Sequence, residues 1–353
     1  MITTLITILR FVGVIAGLIL LHEFGHFLAA RLFKIEVEEF GIGFPPRALT
    51  LFEMGGTKYT LNWLPLGGFV RPKGENDPDI PGGLAAAKPL VRIAVLLAGP
   101  LMNLLAAVVI YTVIFSQSGA PDLTTVLVLD VAANSPAEVA GLQAGDEITQ
   151  INDIAISNTT ILHDEIYANL GSSVSISIQR GGHEEEISLV PRANPPQNEG
   201  AIGIIMTNPW RDITWFEAFP IGVTATYYHS IAILTLPAQW FKGAEGVNRP
   251  QGFKGMYDGY EAAEAQELIP QASKSVNVMA FVVAITVSLG ILNLFPIPAL
   301  DGGRILFAIP EVIFRRRISQ KVQNVSNAIG FILLITFLVY INFLDIVAPV
   351  TLP

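Results

Sequence analysis

The sequence predicts a polytopic α-helical membrane protein with four transmembrane helices and a small β-rich domain inserted between the second and the third. Hydrophobic residues make up 51% of the 353-residue chain and charged residues 14%, and the mean hydropathy is +0.52, which is far from a soluble average. Four apolar runs are long enough to cross about 30 Å of hydrocarbon, which takes roughly 20 residues in a helix. One long polar stretch lies between the second and third runs.

The cysteine content and the net charge exclude several kinds of site and partner. The chain has no cysteine, which excludes disulfides, thiolate metal ligands and cysteine nucleophiles. Its formal charge of −9 argues against a nucleic-acid partner, and none is expected. The first residues, MITTLITILRF, have no basic segment ahead of the apolar run, so we interpret them as part of a retained signal-anchor.

The first predicted span, from about Thr4 to Leu28, contains the motif HEFGH. His22 and His26 are four residues apart and share one face of a helix, so both imidazoles can ligate one zinc ion. Glu23 lies beside them, where it can take a proton from the attacking water, and the motif therefore indicates metal-dependent hydrolysis. The alternative is a structural histidine pair, but these polar groups are costly near hydrocarbon unless protein, water or metal surrounds them.

A second motif offers a third ligand, which a catalytic zinc site requires. NLFPIPALDGGR, from Asn293 to Arg304, ends another long apolar run and carries one acid, Asp301. Pro296 and Pro298 are expected to break the helix just before this acid. The backbone groups that the break leaves free must be satisfied by protein or water, which indicates a hydrated cavity.

HEFGH and NLFPIPALDGGR together resemble the motifs of the site-2 protease family of intramembrane zinc metalloproteases. The chain is similar to the bacterial, PDZ-containing type, of which the regulator of sigma-E protease is an example. The resemblance implies that His22, His26 and Asp301 are ligands of Zn²⁺. It also implies that Glu23 is the general base. The residues expected to bind substrate are Asn293, Pro296, Gly67 and Gly68.

Residues 35–89 are predicted to form a hairpin. Two strand-like runs, Ala48 to Met54 and Lys58 to Trp63, are separated by Gly55-Gly56. The stretches GIGFPPR and PLGGFVRPKGE resemble the membrane-associated β-hairpin of the same family. An exposed strand edge there could hold an unwound substrate by β-addition, and an ordinary cytoplasmic loop is the alternative.

The second span, residues 90–116, contains GPLMN from Gly99 to Asn103. Small residues in this stretch permit close helix packing, and the family has a similar Gly-Pro-x-x-Asn sequence in this helix. Asn103 is interpreted as a donor of an interhelical hydrogen bond.

Residues 121–193 contain short β-branched runs and are predicted to form a small α/β domain. SPAEVAGLQAGDEITQIND resembles a bacterial, circularly permuted PDZ domain, in which Gly141-Leu142 and Gly145-Asp146 form turns between a short helix and a strand. Such domains take an extended peptide or a chain end by β-addition. The domain could instead act as a steric filter over the protease.

The remaining segments are placed by topology. Residues 212–242 are apolar, but a further crossing would put Asp301 on the opposite membrane face from His22 and His26, so this segment is expected to be interfacial or re-entrant. The glycine-rich residues 243–273 are predicted to be a linker. The complete assignment is residues 1–34 for the first transmembrane helix, 35–89 for the hairpin, 90–116 for the second transmembrane helix, 121–193 for the PDZ-like domain, 212–242 for the interfacial segment, 243–273 for the linker, 274–304 for the third transmembrane helix with its LDGG motif, and 322–346 for the fourth.

Basic residues set the expected orientation. Arg31 and Lys34 follow the first span, and Arg315, Arg316 and Arg317 precede the fourth. The positive-inside tendency therefore predicts a multi-pass protein of the inner (plasma) membrane, with the catalytic site near the cytoplasmic face and an extracytoplasmic PDZ-like domain.

The resemblance implies a zinc-dependent intramembrane endopeptidase. Its expected partners are single-pass membrane proteins, such as anti-sigma factors shortened by an upstream site-1 type protease or signal-peptide remnants, together with membrane lipid. The main alternative is a non-proteolytic scaffold that binds peptide ends through the PDZ-like domain. That alternative is disfavoured because structural zinc sites usually have four protein ligands and only three candidates occur here.

Overall fold

The computed structural model describes residues 2–196, 199–242, 249–267 and 276–349. The chain divides into two compact units. Unit 1 comprises Met1–Gln117 and Trp215–Pro353, and unit 2 comprises Ser118–Thr214. Unit 2 contains the predicted range of 121–193 and extends beyond it at both ends.

The described residues form helices and strands with the following bounds. The helices are α1 (Ile2–Leu32), α2 (Pro89–Ser118), α3 (Pro136–Ala140), α4 (Thr159–Ala168), α5 (Trp215–Phe241), α6 (Phe253–Glu267), α7 (Asn277–Asn293), α8 (Asp301–Phe314) and α9 (Gln320–Val347). The strands are β1 (Val37–Met54), β2 (Thr57–Pro72), β3 (Ala120–Pro121), β4 (Val126–Val131), β5 (Glu147–Ile151), β6 (Ile154–Ala155), β7 (Val174–Arg180), β8 (His183–Leu189), β9 (Ile204–Thr207) and β10 (Trp210–Arg211).

Three helices in the described part of the chain are long and apolar enough to cross a membrane. They comprise Thr4–Leu32 of α1, the whole of α2 and the whole of α9. The third predicted span differs, because α7 has 17 residues and ends at Asn293. At 1.5 Å per residue, it reaches about 25 Å, which is short of the hydrocarbon thickness.

Residues 274–304 are therefore not one helix: the expected break before Asp301 is present, but the helix that precedes it ends earlier than the predicted range, at Asn293. The chain leaves the helix after Asn293, and Ala299 takes a left-handed backbone conformation with φ of 80°. Pro296 and Pro298 lie in this segment, where their missing N–H groups cannot continue a helical ladder. A new helix, α8, begins at Asp301. The start of the predicted range, 274–275, lies outside the described residues.

Strands β1 and β2 form the predicted hairpin, which is longer than expected. Gly55 and Gly56 both have positive φ, 59° and 79°, which gives the mirror-image turn that matches strand twist. Within the hairpin Glu39 is 3% exposed, accepts hydrogen bonds from Arg47 Nε at 3.0 Å and Thr60 Oγ1 at 2.9 Å, and lies beside Arg71. The distal end is apolar and exposed. Its exposed side chains include Leu49, Leu51, Phe52, Met54 and Trp63.

Unit 2 is built on a six-stranded sheet with the strand order β8-β7-β5-β4-β9, to which β6 adds through β5. The predicted helix and turns are present: Ser135 Oγ caps α3 by accepting from Glu138 N, and Gly141 and Gly145 have φ of 90° and 96°. Strand β9 pairs antiparallel with β4. This pairing explains why the unit continues past residue 193.

An ion pair between a buried carboxylate and a partly exposed arginine joins strands at one end of the unit 2 sheet. Asp146 is 1% exposed and accepts hydrogen bonds from Arg180 Nε at 2.7 Å, from Arg180 Nη2 at 2.6 Å and from Gln143 N at 2.8 Å. Burial raises the pKa of this carboxyl, but the hydrogen bonds from Arg180 and Gln143 outweigh it and hold the pKa below its usual range. The carboxylate therefore remains charged when it is folded into this site.

The predicted linker contains a helix, α6, and this is a correction. Its N-terminal amides are capped by Asp345 of α9, whose Oδ2 accepts from Gly252 N at 2.7 Å and Gly255 N at 3.0 Å. Tyr260 packs into a cluster with Phe11 of α1. Glycines that would weaken an isolated helix here allow α6 to approach its neighbours, because a Cβ on Gly255 would lie 2.9 Å from Asp345 Oδ2. Residues 243–248 and 268–273 of the predicted linker lie outside the described residues.

The predicted interfacial segment is the long helix α5. It is not among the three described helices that are long and apolar enough to span a membrane. That it is interfacial or re-entrant stays a prediction. Within unit 1 it packs on α2, where the hydroxyl of Tyr111 lies 2.8 Å from Nδ1 of His229.

Candidate metal centre

Three predicted ligands converge in unit 1. His22 Nε2 and His26 Nε2 lie 3.2 Å apart, and Asp301 Oδ2 lies 3.0 Å from the first and 3.3 Å from the second. Both histidines are buried. Among the described residues this is the one group of three or more His, Cys, Asp or Glu side chains placed to share a metal ion. His22 and His26, four residues apart on α1, therefore lie next to the distant Asp301, as the sequence predicts.

Two glycines explain how Asp301 reaches the histidines. A Cβ on Gly302 would lie 2.2 Å from the carbonyl oxygen of Leu294, and a Cβ on Gly303 would lie 2.2 Å from that of Ile297. Only glycine allows the first turn of α8 to lie this close to the segment that follows α7. The GG of LDGG thus fixes the position of the acid.

The space beside the two imidazoles is left open by Gly99 of α2. A Cβ built on Gly99 would lie 2.3 Å from His26 Nε2 and 2.8 Å from His22 Nε2. These separations are close to a zinc–nitrogen bond of about 2.0–2.1 Å, so the missing side chain leaves a cradle of the size that an ion needs. Two imidazole nitrogens and one carboxylate oxygen are a usual donor set for catalytic zinc, and these residues fit Zn²⁺.

The backbone of α2 fixes the protonation of one ligand. His26 Nδ1 lies 2.8 Å from the carbonyl oxygen of Val95. A carbonyl can only accept, so Nδ1 carries the proton and Nε2 keeps its lone pair for a metal. His22 has a side-chain partner instead: its Nδ1 lies 3.3 Å from the amide Nδ2 of the fully buried Asn103. Asn103 therefore links α2 to α1, as expected of an interhelical hydrogen bond, and its partner is a candidate ligand.

Glu23 lies at the wall of a cavity of about 370 Å³ that the three ligands also line. Its Oε2 accepts a hydrogen bond from Val70 N of β2 at 3.1 Å. This bond comes from the hairpin, so α1 and β2 hold the carboxylate beside the metal centre without making it a ligand. The cavity is large enough for a water molecule and a segment of peptide.

The residues expected to bind substrate are placed differently from one another. Asn293 lines the cavity, and its Nδ2 donates to Leu289 O of its own helix at 2.9 Å. Pro296 is exposed in the segment after α7 and is not part of the lining. Gly67 and Gly68 pack against α1: Cβ atoms there would lie 2.7 Å from Ile19 Cγ2 and 2.8 Å from Leu20 Cδ1.

Sequence reasoning missed three contributors. Gly99 was assigned to helix packing, and the signal that could have identified it is its position in GPLMN, four residues before Asn103. Arg304 and Glu75 also line the cavity and form an ion pair at 2.6 Å. Arg304 lies one helical turn beyond Asp301, which is the only sequence signal that it offers.

Comparisons with known proteins find a matching family and related proteins over most of the chain. The sequence model of Peptidase family M50 matches residues 10–337. A protein of Campylobacter jejuni named "putative zinc metalloprotease" is 33% identical over 97% of this chain and 93% of its own length. Proteins with the same name from Clostridium perfringens and Clostridium acetobutylicum are 32% and 30% identical, over 95% and 94% of this chain and 97% and 95% of their own lengths.

A solved structure is similar to a smaller part of the chain. The PDZ domain of an SdrC-like protein from Listeria monocytogenes is 30% identical, with a TM-score of 0.21, over 23% of this chain and 85% of that chain.

Proposed function

The chain belongs to peptidase family M50, the site-2 protease family of zinc metalloproteases, and from this premise we propose that it cleaves peptide bonds within transmembrane segments of single-pass membrane proteins. One observation carries the proposal: the three ligands and Glu23 meet at a cavity whose wall is α1, an apolar helix long enough to span a membrane. A hydrolytic centre inside such a helix has access to peptide bonds that soluble proteases do not reach.

When it is bound, zinc supplies a Lewis acid that polarises the peptide carbonyl and acidifies the attacking water. Glu23 accepts the proton of that water and returns it to the leaving amine. The Val70 amide holds the carboxylate at the cavity wall. His22, His26 and Asp301 would hold the metal in the same cavity, so that Glu23 and the metal would act on one peptide bond.

A helical substrate must unwind before its peptide bonds can be attacked, and the hairpin offers a surface for the unwound strand. Phe69 and Val70 of β2 line the cavity, and the two-stranded sheet of β1 and β2 leaves strand edges for β-addition. Asn293 also lines the cavity and has an amide that can bond the substrate backbone. The apolar end of the hairpin suits contact with lipid.

The biological setting follows from the same proposal. The protein acts in the inner membrane, with the metal centre near the cytoplasmic face and unit 2 outside the cytoplasm. An upstream site-1 type protease shortens the substrate first. Substrates then include anti-sigma factors after a first cleavage, or signal-peptide remnants. Unit 2, as a PDZ-like domain, either binds the new chain end or excludes substrates that have not been shortened.

The test uses purified protein in lipid vesicles with a single-pass model substrate. Wild type is expected to cut within the apolar segment, as mapped by mass spectrometry, and Glu23→Gln is expected to lose at least 10³-fold of the rate. A chelator is expected to stop wild type, and zinc to restore it. Equal cleavage by wild type and Glu23→Gln would refute the proposal. Stoichiometric zinc without cleavage of any shortened substrate would favour the non-proteolytic scaffold.

A further inference from the structure

The amide of Asn103 is buried deep between α1, α2 and α7 and has one unsatisfied end. The residue is 0% exposed, its backbone carbonyl accepts from Thr286 Oγ1 at 3.3 Å, and its Nδ2 lies 3.3 Å from His22 Nδ1. Its Oδ1 has no hydrogen-bond partner within the described ranges of the chain. A buried amide oxygen without a donor is costly. If the amide turned over, Oδ1 would face His22 Nδ1 and could accept a hydrogen bond from it.

The two orientations of the amide require different tautomers of His22. If Nδ2 faces the ring, His22 Nδ1 must accept, and the ring proton lies on Nε2, where it donates to Asp301 Oδ2 at 3.0 Å. If Oδ1 faces the ring, His22 Nδ1 carries the proton and donates it, and Nε2 keeps its lone pair. Only the second tautomer can ligate a metal through Nε2.

The two ends of an amide have nearly the same size, so the group can turn within the same space. Either orientation leaves one end of the amide without a partner among the described residues. Which orientation is more stable therefore depends on whether His22 Nδ1 donates or accepts. His26 needs no such device because the Val95 carbonyl already fixes its tautomer. His22 is the ligand whose tautomer depends on a side chain.

We propose that Asn103 is a positioning residue for zinc, which accepts the Nδ1–H of His22 through Oδ1 when the metal is bound and turns its Nδ2 to the ring when the metal leaves. This inference rests on the proposed function only for the identity of the metal centre. Hydrogen-bond acceptors of this kind orient metal-ligating histidines and raise their basicity, and their loss typically weakens metal binding 10–100-fold.

The test measures zinc affinity by competition with a fluorescent chelator, in full-length protein that carries Glu23→Gln so that the readout does not depend on cleavage. Asn103→Leu, which keeps the volume and removes the acceptor, is expected to weaken zinc binding 10–100-fold. Asn103→Asp, which offers only acceptors, is expected to bind zinc within threefold of the parent or more tightly. Thr286→Val, which removes the bond to the Asn103 backbone, is the packing control and is expected to change affinity less than threefold.

Two results would overturn the inference. One is an Asn103→Leu protein with parental zinc affinity. The other is an Asn103→Asp protein that loses tenfold or more, because that is the result expected if Asn103 acts as a donor to His22. The Asp variant alone decides the question if the Leu variant does not fold. If these variants show the expected affinities while protein with Glu23 intact cleaves no substrate, the proposed function is refuted and the role of Asn103 stands.

Discussion

The most direct structural prediction concerns Gly99→Ala. The added Cβ would lie 2.3 Å from His26 Nε2 and 2.8 Å from His22 Nε2, although an ordinary contact begins at 3.4 Å. His26 would have to withdraw by about 1 Å, and its Nδ1 is held to the Val95 carbonyl at 2.8 Å. The methyl group would also take the space that the metal needs. We expect zinc affinity to fall at least 100-fold, or about 2.8 kcal/mol.

The assay for Gly99→Ala is the zinc content of the purified protein, followed by chelator competition. The matched control is Gly17→Ala in α1, where a Cβ meets nothing within 4 Å. That change is expected to leave zinc affinity unaltered and to stabilise the helix by up to ~1 kcal/mol, since alanine is the better helix former. Parental zinc affinity in Gly99→Ala would refute the interpretation that the metal occupies the space beside Gly99.

Three further changes test the supports of the fold and the site. Asp146→Asn should destabilise unit 2, because it replaces the charged acceptor of Arg180 and Gln143 with a neutral amide; faster hydrogen exchange in the full chain measures this. In the wild type the lowered pKa of Asp146 stabilises unit 2 above about pH 4, the unfolded value, and this contribution should disappear as pH falls through the folded pKa. Asp345→Ala should remove the cap of α6 and increase exchange of its first amides, and unchanged protection would contradict the cap. Gly302→Ala should displace Asp301 and weaken zinc binding at least tenfold, and retained affinity would contradict the close approach of α8.

Some of this architecture could be predicted because it depends on local rules. His22 and His26 share a helix face whatever surrounds α1, so the motif alone places two ligands together. The hairpin turn at Gly55-Gly56 is equally local. The resemblance identifies Asp301 as the third ligand. The structure shows how Asp301 reaches the histidines: the two glycines after it let α8 begin against the segment that follows α7.

Other features could not be predicted because they depend on packing between distant segments. The gap at Gly99 has meaning only because α2 crosses α1 at the two histidines. Helix α6 forms in a glycine-rich stretch because Asp345 caps it and Tyr260 is buried against α1. The third span was predicted too long because its prolines indicate a break but not where the preceding helix ends.

The central claim is that zinc is held by two imidazoles and one carboxylate, with a further position open for water and substrate. X-ray absorption at the zinc edge of the purified protein measures this directly, and the absence of cysteine excludes thiolate donors. We expect one zinc per chain with two imidazole nitrogens and oxygen donors at about 2.0–2.1 Å, and loss of that signal in His22→Ala. A zinc ion with three or more imidazoles, or an unchanged spectrum in His22→Ala, would contradict the account.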